Sequence, residues 1–181
     1  MRNIVRMGSV VVAGLGITWG GVASADHDRG RREEVVHAQL VGYNETPSVS
    51  TPAKGTFRAV IDEDAGTITY TLKYDGIGVV TQSHLHFGQH HTAGGIVVFL
   101  CTNLGNAPAG TVVQACPTAQ PAEITGIIRA ADVTPTPPNV TTQQLLAGEF
   151  GELLAAIRAG AVYVNIHSGP SPAGEIRGQL F

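Results

Sequence analysis

Thr56-Phe57-Arg58-Ala59-Val60-Ile61, the turn Asp64-Ala65-Gly66, and Ile68-Thr69-Tyr70-Thr71-Leu72-Lys73-Tyr74 together decide the fold. Phe57, Ala59 and Ile61 fall on one side of an extended chain and Thr56, Arg58 and Val60 on the other, because side chains alternate across a strand. The intervening turn joins the two runs into a β-hairpin. Moving outward from it, apolar runs at residues 36–41, 81–87, 96–100, 124–130, 161–167 and 175–181 predict six more strands. Many short strands separated by Gly, Pro and Asp turns predict an all-β fold, an antiparallel sandwich or barrel. One segment departs from the period of two. Phe150, Leu153, Leu154 and Ile157 recur at helical spacing, with Glu149 and Glu152 in the first turn, Arg158 in the last and Gly160 as the stop. They predict one short helix over residues 149–159 that plugs an open end of the sheet.

The first 25 residues read as a signal peptide: Arg2 and Arg6 are basic, residues 10–22 are apolar, and Ala23-Ser24-Ala25 fits a small-x-small cleavage site. A spanning helix needs about 20 mostly apolar residues. The glycine-broken run here predicts no permanent span after cleavage. Residues 26–36 are expected to be a flexible tail and residues 37–181 one β domain, long enough for a single core. Loss of Arg2 and Arg6 takes the formal charge from −3 to −5. With no basic stripe left, nucleic acid is not an expected partner. The two cysteines, Cys101 and Cys116, are expected to form a disulfide across a Gly-, Ala-, Asn- and Pro-rich loop. A secreted, periplasmic or extracellular location follows. Asn44-Glu45-Thr46 and Asn139-Val140-Thr141 match the glycosylation pattern, which arises easily by chance.

Four of the seven histidines lie within residues 84–91. His84 and His86, two apart on a strand, share a face, so one strand can offer two imidazoles to one metal. His167 is the leading third ligand. His90 and His91, in a loop, are weaker candidates, and His27 and His37 are incidental. Imidazole ligands suit copper or zinc. In the C-terminal hairpin, Tyr163, Asn165 and His167 share one face, as do Glu175, Arg177 and Gln179. Matching polar to polar sets His167 opposite Glu175 and Asn165 opposite Arg177. The same residues could instead form a metal-free polar network of Asn165, Glu175 and Arg177 with the histidines. No Gly-x-Ser-x-Gly setting or paired acid–base carboxylates are present, so no catalytic residue is assigned and enzymatic activity is not the expected role.

Several separated motifs carry a family resemblance: Asn44-Glu45-Thr46-Pro47, the hairpin of residues 55–74, His84-Leu85-His86-Phe87-Gly88, Gly94-Gly95-Ile96-Val97-Val98-Phe99-Leu100-Cys101, Cys116-Pro117, Tyr163-Val164-Asn165-Ile166-His167-Ser168 and Gly174-Glu175-Ile176-Arg177-Gly178-Gln179. From His37 onward the chain resembles the CHRD (chordin) domain family. The resemblance implies an all-β, immunoglobulin-like Greek-key sandwich or barrel, an extracytoplasmic location and little chemistry. It favours a non-catalytic binding or envelope module whose partner is an extracytoplasmic protein or envelope component. A looser likeness, to copper–zinc superoxide dismutase, rests on the His-x-His pair. In that likeness His84, His86 and His167 imitate copper ligands with His90 or His91 as a fourth, but no counterpart of the enzyme's zinc-binding loop is found. The alternative function is therefore a copper- or zinc-binding protein using the three histidines.

Overall fold

The computed structural model describes residues 33–136 and 142–181. The expected signal peptide, residues 26–32 of the expected tail, His27 and Asn139-Val140-Thr141 lie outside the described residues. Among the described residues there are eight strands, β1 Glu34–Val41, β2 Lys54–Asp62, β3 Thr67–Asp75, β4 Val80–Phe87, β5 Gly95–Thr102, β6 Ala122–Ile128, β7 Val162–Ser168 and β8 Ile176–Gln179, and an α-helix, α1 Phe150–Arg158, between β6 and β7. They form one antiparallel sheet in the order β5-β4-β7-β8-β1-β2-β3-β6, nearly closed into a barrel. Of the two architectures the sequence allowed, it is the barrel that forms.

The β2–β3 hairpin pairs Lys54 with Asp75 through to Asp62 with Thr67 without a slip. Its turn is held by Ala65 N–H donating to Asp62 Oδ1 at 3.0 Å, and Gly66 takes a φ of +62°, where glycine is at no steric disadvantage. The inward residues are those the alternation indicates: Phe57, Ala59 and Ile61 on β2; Ile68, Tyr70, Leu72 and Tyr74 on β3; Val36, Ala38 and Leu40 on β1. β1 starts at Glu34, inside the stretch read as a tail, because Glu34 pairs with Ile61 and its carboxylate accepts from Arg158 at 2.7 Å. β6 stops at Ile128, two residues short of the expected end, where a 3-10 turn over Ala130–Asp132 takes over. The helix buries Leu153, Leu154, Ala156 and Ile157 in the core, and Arg158 ties it to Glu34 and Glu63.

Closure between the edge strands β5 and β6 is made by other parts of the chain, since unpaired strand edges need covering. Tyr70 Oη donates to Leu100 O at 3.2 Å, and Gln114 Nε2 donates to Tyr70 Oη and to Thr125 O, both at 3.1 Å. Farther along, Thr134 N–H and Thr136 N–H donate to Val97 O and Ile96 O. The Cys101–Cys116 disulfide anchors the intervening loop at the end of β5, with both cysteines buried. It fits an oxidising, extracytoplasmic compartment. Among the described residues, no helix is long and apolar enough to cross a membrane.

The Cys101–Cys116 bond closes a loop with a sequence separation of 15. Replacing both cysteines by alanine is expected to cost about 3 kcal/mol, mainly by freeing the unfolded chain. A urea unfolding series comparing the variant with the oxidised protein reads this as a lower midpoint, with a steeper slope because the unlinked unfolded chain exposes more surface.

Candidate metal centre

Strand alternation sorts β4, β7 and β8 into two faces. Leu85, Val164 and Ile176 belong to the barrel core. Their neighbours point outward as a polar array that crosses the three strands. His84 sits opposite Asn165, and Asn165 opposite Arg177; one row along, His86 sits opposite Tyr163, and Tyr163 opposite Gln179. The third row sets Gln82 opposite His167. An outer face would ordinarily be wet, but here His84, Asn165 and Arg177 are at most 2% exposed and His86, His167 and Gln179 at most 7%. Loops cover them.

The polar array itself pins those loops. Arg177 donates from Nη1 to Thr92 O and from Nη2 to Gln89 O, each at 2.9 Å. Gln179 Nε2 donates to Gly88 O at 2.9 Å and to Gly160 O at 2.7 Å. The Arg177 guanidinium lies 3.4 Å from the centre of the Tyr163 ring, and that ring stacks on His86 at 4.7 Å with only 4° between planes. A cation over a desolvated aromatic ring is attracted by its quadrupole, by about 2 kcal/mol. Because β4 and β8 flank β7 on opposite sides, Tyr163 is held between the imidazole and the guanidinium. Gly94 must be glycine for the loop to approach: a Cβ there would meet Phe87 O at 1.8 Å.

Three histidines converge beneath this cover. His84, His86 and His167 each offer a ring nitrogen, and the three nitrogens lie within 4.8 Å of one another. His86 Nδ1–H donates to Gly94 O and His167 Nδ1–H to Pro172 O, each at 3.0 Å. Those bonds set the tautomers and leave the Nε2 lone pairs of both rings free, as outer-shell partners do for metal-binding histidines. His84 Nδ1 is 3.2 Å from His167 Nε2. Ligands at about 2.0–2.1 Å from a tetrahedral ion stand about 3.3 Å apart, so this pair already has the spacing of two ligands on one ion. The 4.8 Å limit for all three leaves the remaining ring to close in by a small rotation. His84 Nε2 and His86 Nε2 are buried with no hydrogen-bond partner.

All three rings are held neutral. Burial, then the neighbouring His167 and His86, pushes His84 down to about 2, and burial pushes His86 down to about 4. Burial also lowers His167. Neutral imidazole is the form that binds a metal. Across the site burial raises Glu45 to about 7, against the opposing pull of Arg177 and of a hydrogen bond from Asn165. Gly174, at φ +130°, makes room for that contact, because a Cβ there would meet Glu45 Oε1 at 2.3 Å and Asn165 Nδ2 at 2.8 Å.

The sequence-derived candidates are placed unevenly. His90 and His91 are exposed and stand outside the convergent group. Asn165 and Arg177 face each other across β7 and β8, as polar alignment requires. Glu175 continues that register, but its carboxylate accepts from Thr51 Oγ1 at 2.8 Å and from Gly78 N–H at 3.4 Å, and the partner that holds His167 is Pro172 O. The correction has a simple cause: strand register sets backbones opposite one another, but a glutamate can reach sideways to a better donor. Sequence reasoning gave no role to Glu45, Tyr163 or Gln179. Position Glu45 had one signal, its place in Asn44-Glu45-Thr46-Pro47.

The CHRD domain model matches residues 36–180. This chain belongs to the CHRD family. The match covers β1 to β8, so the polar array lies wholly inside the CHRD domain. No curated protein and no solved structure matches the chain.

The titrating groups of this CHRD domain set opposite pH limits for the metal-free protein. The folded pKa values of His84 and His86 lie below their usual 6.5, so their stability is fully present above pH 6.5 and lost as the pH falls toward 4. Glu45 is raised from 4.5 to about 7, so its contribution is present below pH 4.5 and lost as the pH rises through 7. Urea midpoints measured in chelator are expected to peak near pH 6.5, and Glu45→Gln is expected to flatten the alkaline limb alone.

Proposed function

We propose that this CHRD protein is an exported, non-catalytic module that holds one transition-metal ion, zinc or copper, through His84, His86 and His167. The observation that carries the reading is the convergence of three buried, neutral rings, with His84 Nδ1 3.2 Å from His167 Nε2 and His86 Nε2 buried without a hydrogen-bond partner. An unmet buried polar atom costs about 1–3 kcal/mol. A bound ion, with a small turn of the rings, would satisfy this cluster and draw together strands β4 and β7. Export is supported by the leader-like first 25 residues and the disulfide. An extracytoplasmic protein or envelope component as partner rests on the family resemblance alone.

Closure of the site supports a structural ion over a catalytic one. Catalytic metals keep a position open to water or substrate, whereas these rings are at most 7% exposed. That burial weighs against superoxide dismutase-like chemistry. A second reading dispenses with the metal: the 3.2 Å contact between His84 and His167 is then a plain hydrogen bond within a polar lock. It leaves His86 Nε2 unmet.

Metal analysis separates the two readings. The purified protein, exposed to zinc and copper and then desalted, is expected to carry one ion per chain, and His84→Ala/His86→Ala none. Metal at about 100 times its dissociation constant stabilises by about 2.7 kcal/mol, expected as a rise in melting temperature of about 5–10 °C. A wild-type protein with no stoichiometric metal and no shift would leave only the metal-free lock.

A further inference from the structure

We infer that Asn165 supplies a fourth ligand through its side-chain oxygen, making a closed site of three nitrogens and one oxygen that selects zinc(II). The inference rests on the three-histidine reading and goes beyond it in ligand set and ion.

Asn165 Oδ1 lies 3.0 Å from His167 Nε2. Both atoms are acceptors. His167 Nδ1 carries the proton donated to Pro172 O, which leaves a lone pair on Nε2. The Asn165 amide nitrogen turns to the other side, where it and Glu45 Oε1 both border Gly174. The amide oxygen is the end that faces the histidines. Two acceptors 3.0 Å apart repel unless a cation lies between them. Asn165 is also the cross-strand partner of His84. The amide oxygen therefore borders the His167 nitrogen that itself lies 3.2 Å from His84 Nδ1.

The spacings agree with a single tetrahedral ion. His84 Nδ1 to His167 Nε2 is 3.2 Å and Asn165 Oδ1 to His167 Nε2 is 3.0 Å, against about 3.3 Å between ligands held at about 2.0–2.1 Å. Four protein donors around a site closed to water describe structural zinc. Copper(II) favours a tetragonal arrangement and copper(I) softer sulfur donors. Glu45, beside the amide nitrogen at Gly174, supplies a carboxyl group that offsets the charge of a divalent ion. Glu45 is a positioning residue and Asn165 a ligand.

Cobalt(II), which takes zinc sites and reports coordination in its visible spectrum, tests this, with azide as a probe for an open position. The wild-type protein is expected to bind one cobalt with a tetrahedral spectrum that excess azide leaves unchanged. Asn165→Ala is expected to bind cobalt and zinc at least about 10–100-fold more weakly, the loss that even outer-shell changes produce, and to acquire an azide-sensitive spectrum. Asn165→Asp, which keeps an oxygen donor, is expected to stay azide-insensitive and to hold zinc no less than tenfold as tightly as Asn165→Ala. An azide-sensitive wild type, or an Asn165→Ala variant with wild-type affinity and spectrum, overturns the assignment. If Asn165→Ala does not fold, weak or azide-sensitive binding by folded Asn165→Asp overturns it. Binding of copper but not of zinc or cobalt overturns the fourth ligand while sparing the three-histidine reading. Binding of no metal at all sinks both.

Discussion

Strand β7 runs between β4 and β8 with all seven of its residues buried, and the rest of the molecule is arranged around that constraint. Its inward residues, Val162, Val164 and Ile166, meet the barrel core as any apolar strand face would. Its outward residues, Tyr163, Asn165 and His167, are polar and equally buried. A polar group taken from water without a partner costs several tenths to a few kcal/mol. The outer face of the barrel is therefore tolerable only with an orderly network over it, and the covering loops exist to complete one.

That network is built from groups with fixed geometry. Arg177 spreads its donors over two loop carbonyls while lying flat on Tyr163, a use of the planar guanidinium that lysine cannot copy. Gln179 holds Gly88 and Gly160 with one amide nitrogen. Gly94 and Gly174 let backbone and carboxylate come closer than any side chain would permit. Because the same residues cover the histidines, orient them and keep them neutral, loop order and the chemistry of the imidazoles are coupled. A change at Arg177 would be felt at His86 through the Tyr163 ring between them.

Much of this fold could be read from the chain. The period of two located all eight strands within a few residues, and the period of 3.6 located the helix, because each reports which side of an element meets the core. The His84/His86 pair and the Asn165–Arg177 alignment followed from the same alternation. Where the reading stopped, the cause was usually a contact between residues far apart in the chain. Glu175 turned to Thr51 and Gly78 instead of His167, across a sequence separation of 124 in the first case. Glu45 reached Asn165 from the first loop of the domain. His90 and His91, dense in sequence beside the true pair, fell on the exposed side of the covering loop.

The sequence by itself determined the elements, their buried faces, the cysteine pair and the family, because these depend on local periodicity or on motifs in order. Tertiary structure alone decided that the sheet closes as a barrel and that an outward face is buried. It also decided how closely the three rings named from the sequence approach one another. Those outcomes depend on how strands distant in sequence stack beside one another and on which loop folds over them. Alternation says which side of its own strand a residue takes; only the closed barrel says what lies on that side.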